Sequence, residues 1–212
     1  MIKKICIFGT GGSGRETLCC LMYSIAGTGK KIGDIACFMV DDEYFSDTEI
    51  MGIAVIPKSR FDMDLHEVVV SIGDSALRKK IVESFPKFTK FATIIHPSVI
   101  MSQWVEIGEG SIITAGCILT CNIKIGKHAQ LNLATTIGHD FVANDYFTTA
   151  QGVNVSGNCT FGECVYLGAN AAVREKISLC DNVTIGMGGI VVKNINESGV
   201  FVGNPVKRLL KK

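Results

Sequence analysis

"IGEGSIITAGCILTCNIKIGKHAQL", residues 107 to 131, places a large aliphatic residue at every sixth position, and this spacing decides the fold. The pattern runs from residue 95 to residue 191, and only Ala143 and Thr149 interrupt it. A hexapeptide repeat is the signature of a parallel β-helix, in which three short strands form one coil of about 18 residues. We therefore expect a prism of five to six coils spaced by ~4.8 Å, with an aliphatic interior that thins at these two positions.

A different pattern precedes the repeat. Apolar, strand-like runs cover residues 2–8, 35–40, 67–72 and 91–95. Segments between them place apolar residues at the spacing of a helix. Alternating strands and helices predict a parallel α/β sheet. The predicted fold class is therefore α/β plus all-β. A small Rossmann-like βαβ nucleotide-binding domain spans residues 1–92, and a parallel β-helix domain spans 93–212.

Glycines and acids follow the predicted strands. The stretch Gly9–Gly14 satisfies G-x-G-x-x-G between the first strand and helix, Asp41 and Asp42 follow the second strand, and Gly73 and Asp74 follow the third. Such glycines admit a phosphate to the start of a helix, and an acid there accepts hydrogen bonds from a sugar or base. Only about one mononucleotide half precedes the repeat, which favours a single nucleotide over the dinucleotide of a dehydrogenase. A glycine turn that merely packs helix on strand remains the alternative.

Composition excludes several classes of protein. Lys plus Arg (21) nearly equal Asp plus Glu (20), so the chain offers no basic field for a nucleic acid partner. No apolar stretch approaches the ~18 residues of a membrane span, and we expect a cytoplasmic protein. The nine cysteines lack zinc or redox spacing, which predicts reduced, mostly buried thiols and no metal.

The order of these parts, together with the ending GVFVGNPVKR at 199–208, resembles the bacterial nucleotide-sugar acetyltransferases. That family includes the sialic acid O-acetyltransferases and the PglD-type amino-sugar N-acetyltransferases of bacillosamine-type pathways. The resemblance covers nearly the whole chain. It implies a left-handed β-helix, a homotrimer, and acetyl-CoA bound in the grooves between prisms. It also implies a role in surface polysaccharide or glycan biosynthesis.

The four histidines offer candidates for a general base. His66, His96 and His128 are predicted to be structural or surface residues, His128 on a solvated corner. His139 follows an inward isoleucine and a turn glycine, which places it at a prism corner. The residues alone leave an exposed turn histidine as the alternative. The resemblance implies that His139 is the base and that Asp140 raises its basicity, which requires the chain to turn at 139–140.

The resemblance also implies two sets of binding residues. The nucleotide-sugar set is Gly12, Ser13, Gly14, Asp41, Asp42, Gly73, Asp74 and Asn132, and the acetyl-CoA set is Thr148, Gly157, Ala169 and Met187. Thr148 stands where many relatives have a second histidine, and Ser13 where relatives often have one. An asparagine turn or ladder is the alternative for Asn132. Arg78 is predicted either to reach a phosphate or to lie on a solvated helix face.

Coil arithmetic tests part of the acetyl-CoA set. Gly157 lies 18 residues after His139 and should stack one coil above it, where the missing side chain leaves room for the pantetheine arm. The same spacing stacks Ala169 against Met187.

These inferences predict an acetyl-CoA-dependent N-acetyltransferase acting on a UDP- or dTDP-linked 4-amino-4,6-dideoxy sugar, without a metal. One alternative is O-acetylation of sialic acid or a related sugar. A second, of another class, is a non-catalytic nucleotide-sugar-binding scaffold that uses the prism only for assembly.

Overall fold

A five-stranded sheet forms the N-terminal part of the computed structural model, which describes residues 3–210. Its order is β3-β4-β2-β1-β5, and every pair is parallel except β3 with β4. The strands are β1 (Lys4–Phe8), β2 (Ala36–Val40), β3 (Glu49–Ile50), β4 (Ile53–Pro57) and β5 (His66–Val70). The helices are α1 (Gly12–Ser24), α2 (Ile32–Ile35) and α3 (Ser75–Glu83), with 3-10 turns at Asp42–Tyr44 and Lys58–Arg60.

Two strand assignments differ from the sequence prediction. The run at 53–57 joins β2 as β4, although the sequence pattern did not single it out. The run at 91–95 is not a strand of this sheet, because only Phe91 forms a bridge, to Val68. Its last two residues, Ile94–Ile95, are the first strand of the β-helix. The run looks like one strand because both domains need apolar residues where the chain crosses between them.

From Ile94 onward the chain winds as a left-handed parallel β-helix with three sheets, as predicted. The first sheet contains β6 (Ile94–Ile95), β9 (Ile112–Ile113), β12 (Gln130–Leu131), β15 (Thr148–Thr149), β18 (Tyr166–Leu167) and β21 (Val183–Ile185). The second contains β7 (Ile100–Met101), β10 (Ile118–Leu119), β13 (Thr136–Ile137), β16 (Asn154–Val155), β19 (Ala172–Val173) and β22 (Ile190–Val191). The third contains β8 (Val105–Ile107), β11 (Ile123–Ile125), β14 (Phe141–Ala143), β17 (Thr160–Phe161) and β20 (Ser178–Leu179). Strands β23 (Gly199–Val202) and β24 (Lys207–Arg208) extend the first sheet at its C-terminal end.

Strand register confirms the 18-residue coil. Ile113 pairs with Leu131, and Ile118 pairs with Thr136, each 18 residues further along. Side chains at the sixth-residue positions point inward and are almost fully buried through the central coils. The hexapeptide spacing therefore produces one continuous apolar interior.

The interior does not thin at Ala143 and Thr149. Phe141 and Phe147, each two residues earlier, are fully buried and pack against Phe161, with ring centroids 5.0 to 5.7 Å apart. The predicted thinning is wrong because large neighbours supply the volume that the small residues leave, which keeps the interior close-packed.

The corners of the prism share one backbone conformation. Every sixth residue from 110 to 188 has a φ between +53° and +73°. These residues form three columns along the prism. The seam corner, which faces the N-terminal domain, is Gly110, His128, Tyr146, Cys164 and Asn182. The cavity corner is Gly116, Ala134, Gly152, Asn170 and Gly188. The histidine corner is Asn122, Asp140, Asn158 and Lys176.

The N-terminal domain packs against the first sheet and the seam corner, and we call this contact the seam. Phe91 meets the His128 ring edge-on at 4.7 Å, and His128 stacks on Tyr146 at 5.3 Å. Gln130 Nε2 donates to the carbonyl of Val70, at the end of β5 (2.9 Å). Within residues 3–210 no helix has the length and apolar character needed to cross a membrane.

Candidate active site

The glycine loop leaves the start of α1 open. A Cβ added to Gly14 would lie 1.9 Å from the carbonyl oxygen of Gly9, so glycine is required for α1 to approach β1 this closely. At Gly11 and Gly12 an added Cβ would meet no atom within 4 Å. The first turn of α1 also contains no acidic side chain. Exposed backbone N–H groups at this helix start therefore suit an anionic group such as a phosphate.

Three hydroxyls lie behind this loop. Ser13 Oγ and Thr17 Oγ1 each lie 2.8 Å from Ser71 Oγ, and Thr17 also donates to the carbonyl of Ser13 (3.0 Å). Sequence reasoning identified Ser13 but missed Thr17 and Ser71. Ser71 directly follows β5, at the carboxyl end of a parallel strand, and that position was its only signal.

The predicted acids have distinct surroundings. Asp42 accepts hydrogen bonds from the backbone N–H (3.1 Å) and the hydroxyl of Ser59. Asp74 caps α3, accepting from the N–H of Leu77 at 2.8 Å. Asp41 lies 3.5 Å from Lys58 Nζ and is partly exposed. Asp42 and Asp74 thus stabilise local turns, which leaves the Asp41 carboxylate the most available of the three to a ligand.

A cavity of about 200 Å³ lies between the N-terminal domain and the first sheet. Its lining comes from both sides: Ser13, Glu16, Thr17 and Gly73 from the N-terminal domain, and the polar residues Thr114, Gln130, Asn132, Thr148, Thr149, Gln151 and Tyr166 from the β-helix. The structure thus brings together Ser13, Gly73 and Asn132, which were predicted to bind the nucleotide sugar. Sequence reasoning missed Gln130 and Tyr166, whose only signal was their 18-residue spacing from Thr148.

Asn132 also stabilises a turn. Its Oδ1 accepts from the N–H of Leu133 (2.7 Å), and its own N–H donates to Thr149 Oγ1 (3.1 Å). Asn132 therefore both stabilises a turn and lines the cavity, so a turn and a place in the substrate site are compatible for this residue.

The histidine corner joins three side chains. His139 Nδ1 lies 2.7 Å from Asp140 Oδ2, and Asn122 Nδ2 donates to Asp140 Oδ1 at 3.1 Å. The chain turns here, with Asp140 at φ +56°, and this turn allows adjacent side chains to meet. The His139 ring and then the Asn122 amide hold the pKa of Asp140 below its usual value. An ionised Asp140 favours a proton on Nδ1 and leaves Nε2 able to accept one.

Gly157 makes room for His139 itself. The two residues stack one coil apart as the spacing predicts, and the N–H of Asn158 donates to the carbonyl of His139 (2.8 Å). A Cβ on Gly157 would lie 2.7 Å from both Cε1 and Nε2 of the imidazole. The absent side chain therefore accommodates the ring of the predicted base.

The predicted acetyl-CoA residues occupy three different places. Gly157 lies beside the histidine corner. Ala169 and Met187 adjoin the cavity corner, where the N–H of Gly188 donates to the Ala169 carbonyl (2.7 Å) and Met187 is largely exposed. Thr148 lies almost fully buried in the seam. Within one chain these residues form no common groove.

Both expectations for Arg78 are wrong. The side chain is fully buried, and its guanidinium donates to backbone carbonyls of both domains and to Thr148 Oγ1 (2.6 Å). Burial lowers the pKa of Arg78 to about 10.

His128, expected on a solvated corner, is also buried. Burial first, and then the nearby Arg78 charge, lower the pKa of His128 to about 4. Sequence reasoning missed both residues because a corner of the prism is solvated only where no other domain covers it.

The described residues contain no evident metal-binding group and no disulfide bond. No group of three or more His, Cys, Asp or Glu side chains there is arranged to hold a metal ion, and the nine cysteines are free.

Comparisons with known proteins identify acetyltransferases among the similar proteins. Residues 4–85 match the family model of the PglD N-terminal domain. GDP-perosamine N-acetyltransferase of Escherichia coli O157:H7 is 25% identical over 81% of this chain and 78% of its own length. WeeI from Acinetobacter baumannii AYE superposes with a TM-score of 0.88 at 27% identity, covering 98% of this chain and all of its own. The predicted resemblance to the nucleotide-sugar acetyltransferases is therefore confirmed.

A second structural relative is also an acetyltransferase. The acetyltransferase domain of PglB from Neisseria gonorrhoeae FA1090 has a TM-score of 0.88 and 25% identity, and the match covers 98% of this chain and all of that one. This domain has also been solved in complex with acetyl coenzyme A. The predicted two-part fold is therefore confirmed.

Proposed function

We propose that the protein transfers an acetyl group from acetyl-CoA to the amino group of a nucleotide-linked sugar, a UDP- or dTDP-4-amino-4,6-dideoxy sugar. The observation that carries the proposal is the Asn122–Asp140–His139 chain at an exposed corner of the prism. The reaction serves the assembly of surface polysaccharides or other glycans. The E. coli relative, a GDP-perosamine N-acetyltransferase, supports an amine as the acceptor.

His139 acts as general base. Its Nε2 takes the proton from the sugar amine as the nitrogen attacks the thioester carbonyl, and the carbon–sulfur bond then breaks. The same proton passes to the departing CoA sulfur, so the imidazole returns to its starting state. Asp140 stabilises the imidazolium between these steps, and the Asn122 amide holds the carboxylate in place.

The nucleotide binds on the N-terminal domain. The open start of α1 receives the phosphates, and the cavity lined by Ser13, Gly73 and Asn132 leads from there to the β-helix. This arrangement supports a substrate with a charged nucleotide end and a sugar end directed toward the prism.

The position of His139 supports a homotrimer. Its corner lies between the second and third sheets, whereas the cavity opens at the first sheet and the cavity corner. In a three-sided prism, one chain cannot bring the two together. A parallel neighbour can present its cavity corner to the histidine corner, and the groove between them would then contain Gly157 of one chain with Ala169 and Met187 of the other.

Product mass spectrometry tests the proposal. Wild type, His139→Ala and the control His96→Ala are incubated with acetyl-CoA and UDP-, dTDP- and GDP-linked 4-amino sugars, or with free sialic acid. We expect a gain of roughly 42 daltons on the UDP- or the dTDP-linked sugar with wild type and the control, and none on the GDP-linked sugar. His139→Ala should be slower by ~10² to 10⁴, because a general base is lost.

Each other outcome overturns part of the proposal. Full activity of His139→Ala would exclude this residue as the base. Acetylation of sialic acid alone would move the activity to O-acetylation. No product, together with no acetyl-CoA binding by calorimetry, would leave a nucleotide-sugar-binding scaffold.

A further inference from the structure

Arg78 connects the two halves of the cavity. On its own domain, Nη1 donates to the carbonyl of Ile72 at 2.6 Å, and the Gly73 carbonyl lies 3.4 Å from the same nitrogen. Across the seam, Nε donates to the carbonyl of His128 (2.9 Å), and Nη2 donates to the carbonyl of Tyr146 (3.0 Å). One side chain therefore joins the loop after β5 to two successive coils of the prism.

The loop held in this way lines the cavity. Gly73 contributes to its wall from the N-terminal domain, while Thr148, the side-chain acceptor of Arg78, contributes from the β-helix. Ser75 Oγ also lies 2.9 Å from Thr148 Oγ1, which strengthens the same connection. The width of the cavity at this point therefore depends on the geometry of the Arg78 hydrogen bonds.

A guanidinium suits this position better than other side chains. Arg78 forms no ion pair with any described carboxylate, so its burial is balanced by carbonyl and hydroxyl acceptors alone. A planar fork with five N–H donors on three nitrogens can reach acceptors that lie far apart, whereas the three N–H donors of an ammonium all leave from one nitrogen. A cation retained inside a seam without a carboxylate is costly, and a positioning role explains it better than stability does.

We propose that Arg78 is a positioning residue of the nucleotide-sugar site, which sets the loop at Gly73 relative to the prism. The proposal rests on the function proposed above. It assigns no contact between Arg78 and the substrate, because the guanidinium is fully buried and its donors are engaged by the protein.

The test separates Michaelis constant from turnover in Arg78→Lys, with Lys79→Met as the matched control. Lys79 lies on the same helix, and its Nζ lies 2.7 Å from Glu163 Oε2 across the same seam. Its side chain is partly exposed and does not line the cavity that Gly73 and Thr148 line. We expect Arg78→Lys to raise the KM for the nucleotide sugar roughly tenfold and to change kcat less than about threefold, because a misplaced binding loop weakens substrate binding while the His139 corner is unchanged. The KM for acetyl-CoA should remain at the wild-type value. Lys79→Met should match wild type in all constants.

The outcomes distinguish this inference from the proposed function. If wild type acetylates no nucleotide sugar, the proposed function fails before Arg78 is tested. If wild type is active and folded Arg78→Lys has wild-type KM for both substrates, or raises both equally, the positioning role is wrong. Should Arg78→Lys not fold, Arg78→Gln, a shorter neutral donor, is measured by the same criteria.

Discussion

At the scale of single residues, the candidate site depends on the lack of a Cβ at Gly157. Gly157 has no side chain, and the space beside it contains the His139 ring. Spacing predicted that these two residues would stack, but it suggested space for the coenzyme. In the structure the imidazole fills this space, because a six-residue period fixes the position of a Cα and leaves the direction of a long corner side chain undetermined.

Gly157→Ala should displace the base without removing it. The new Cβ would lie 2.7 Å from Cε1 and Nε2 of His139, and the partly exposed ring can swing away from it at little cost in stability. We expect kcat to fall by ~10-fold or more, because the base loses its alignment, while thermal unfolding changes little. Gly33→Ala, where the nearest atom is 4.0 Å away, is the control. Wild-type kcat in Gly157→Ala would show that the ring position is unimportant.

At the scale of structural elements, the corner residue of each hexapeptide is as regular as the inward one. Glycine, asparagine or aspartate occupies most of these positive-φ positions, because these residues tolerate the left-handed region. The sequence contained this second period, three residues after each inward position, and it supports the coil independently of the aliphatic ladder. The five exceptions are His128, Ala134, Tyr146, Cys164 and Lys176. Of these, alanine and lysine lack a short polar side chain that could help them adopt that backbone.

Ala134→Gly should therefore stabilise the protein. Ala134 is exposed at φ +56°, so glycine relieves backbone strain and loses almost no packing. We expect a gain of about 0.5 to 1 kcal/mol in the free energy of unfolding, measured by urea denaturation. Ala172→Gly, in strand β19, should instead lose about 0.5 to 1 kcal/mol, because glycine weakens a strand. Equal losses in both variants would contradict the proposed strain at the corner.

Prediction from sequence was good for the elements and weak where elements meet. The inward ladder, the first βα unit and the turn at His139–Asp140 follow from local spacing, and the structure contains all three. The buried state of Arg78 and His128 depends on the seam, which joins residues about 50 to 70 positions apart. The spacing of residues within a short stretch of sequence does not reveal such long-range contacts. The same limit explains why Gln130 and Tyr166 were missed, since each lines the cavity between the two domains. Ser71 was missed because the hydroxyls that it contacts, those of Ser13 and Thr17, lie 58 and 54 positions away in the sequence.

At the scale of the whole molecule, the two halves of the proposed chemistry lie on different sides of one prism. The cavity borders the first sheet, whereas His139 lies where the second and third sheets meet. If the active unit is a homotrimer with sites between chains, each site takes its base from one chain and its nucleotide cavity from the next. A trimer that combines one variant without the base and another variant with a blocked nucleotide site should then regain activity.

Co-expression of His139→Ala with Gly12→Glu tests this arrangement. Gly12 begins α1 in open space, so a glutamate fits without a clash and suits the first turn of a helix, but its charge repels the phosphates. Each variant alone should be nearly inactive. In trimers mixed at random in equal amounts, about a quarter of the interfaces pair an intact His139 with an intact cavity in the required order. We therefore expect about a quarter of wild-type activity in the co-expressed sample and none when the separately purified trimers are mixed without exchange. Absence of activity in verified mixed trimers would mean that each chain carries a complete site, and the base and the cavity would then have to meet by a movement within one protomer.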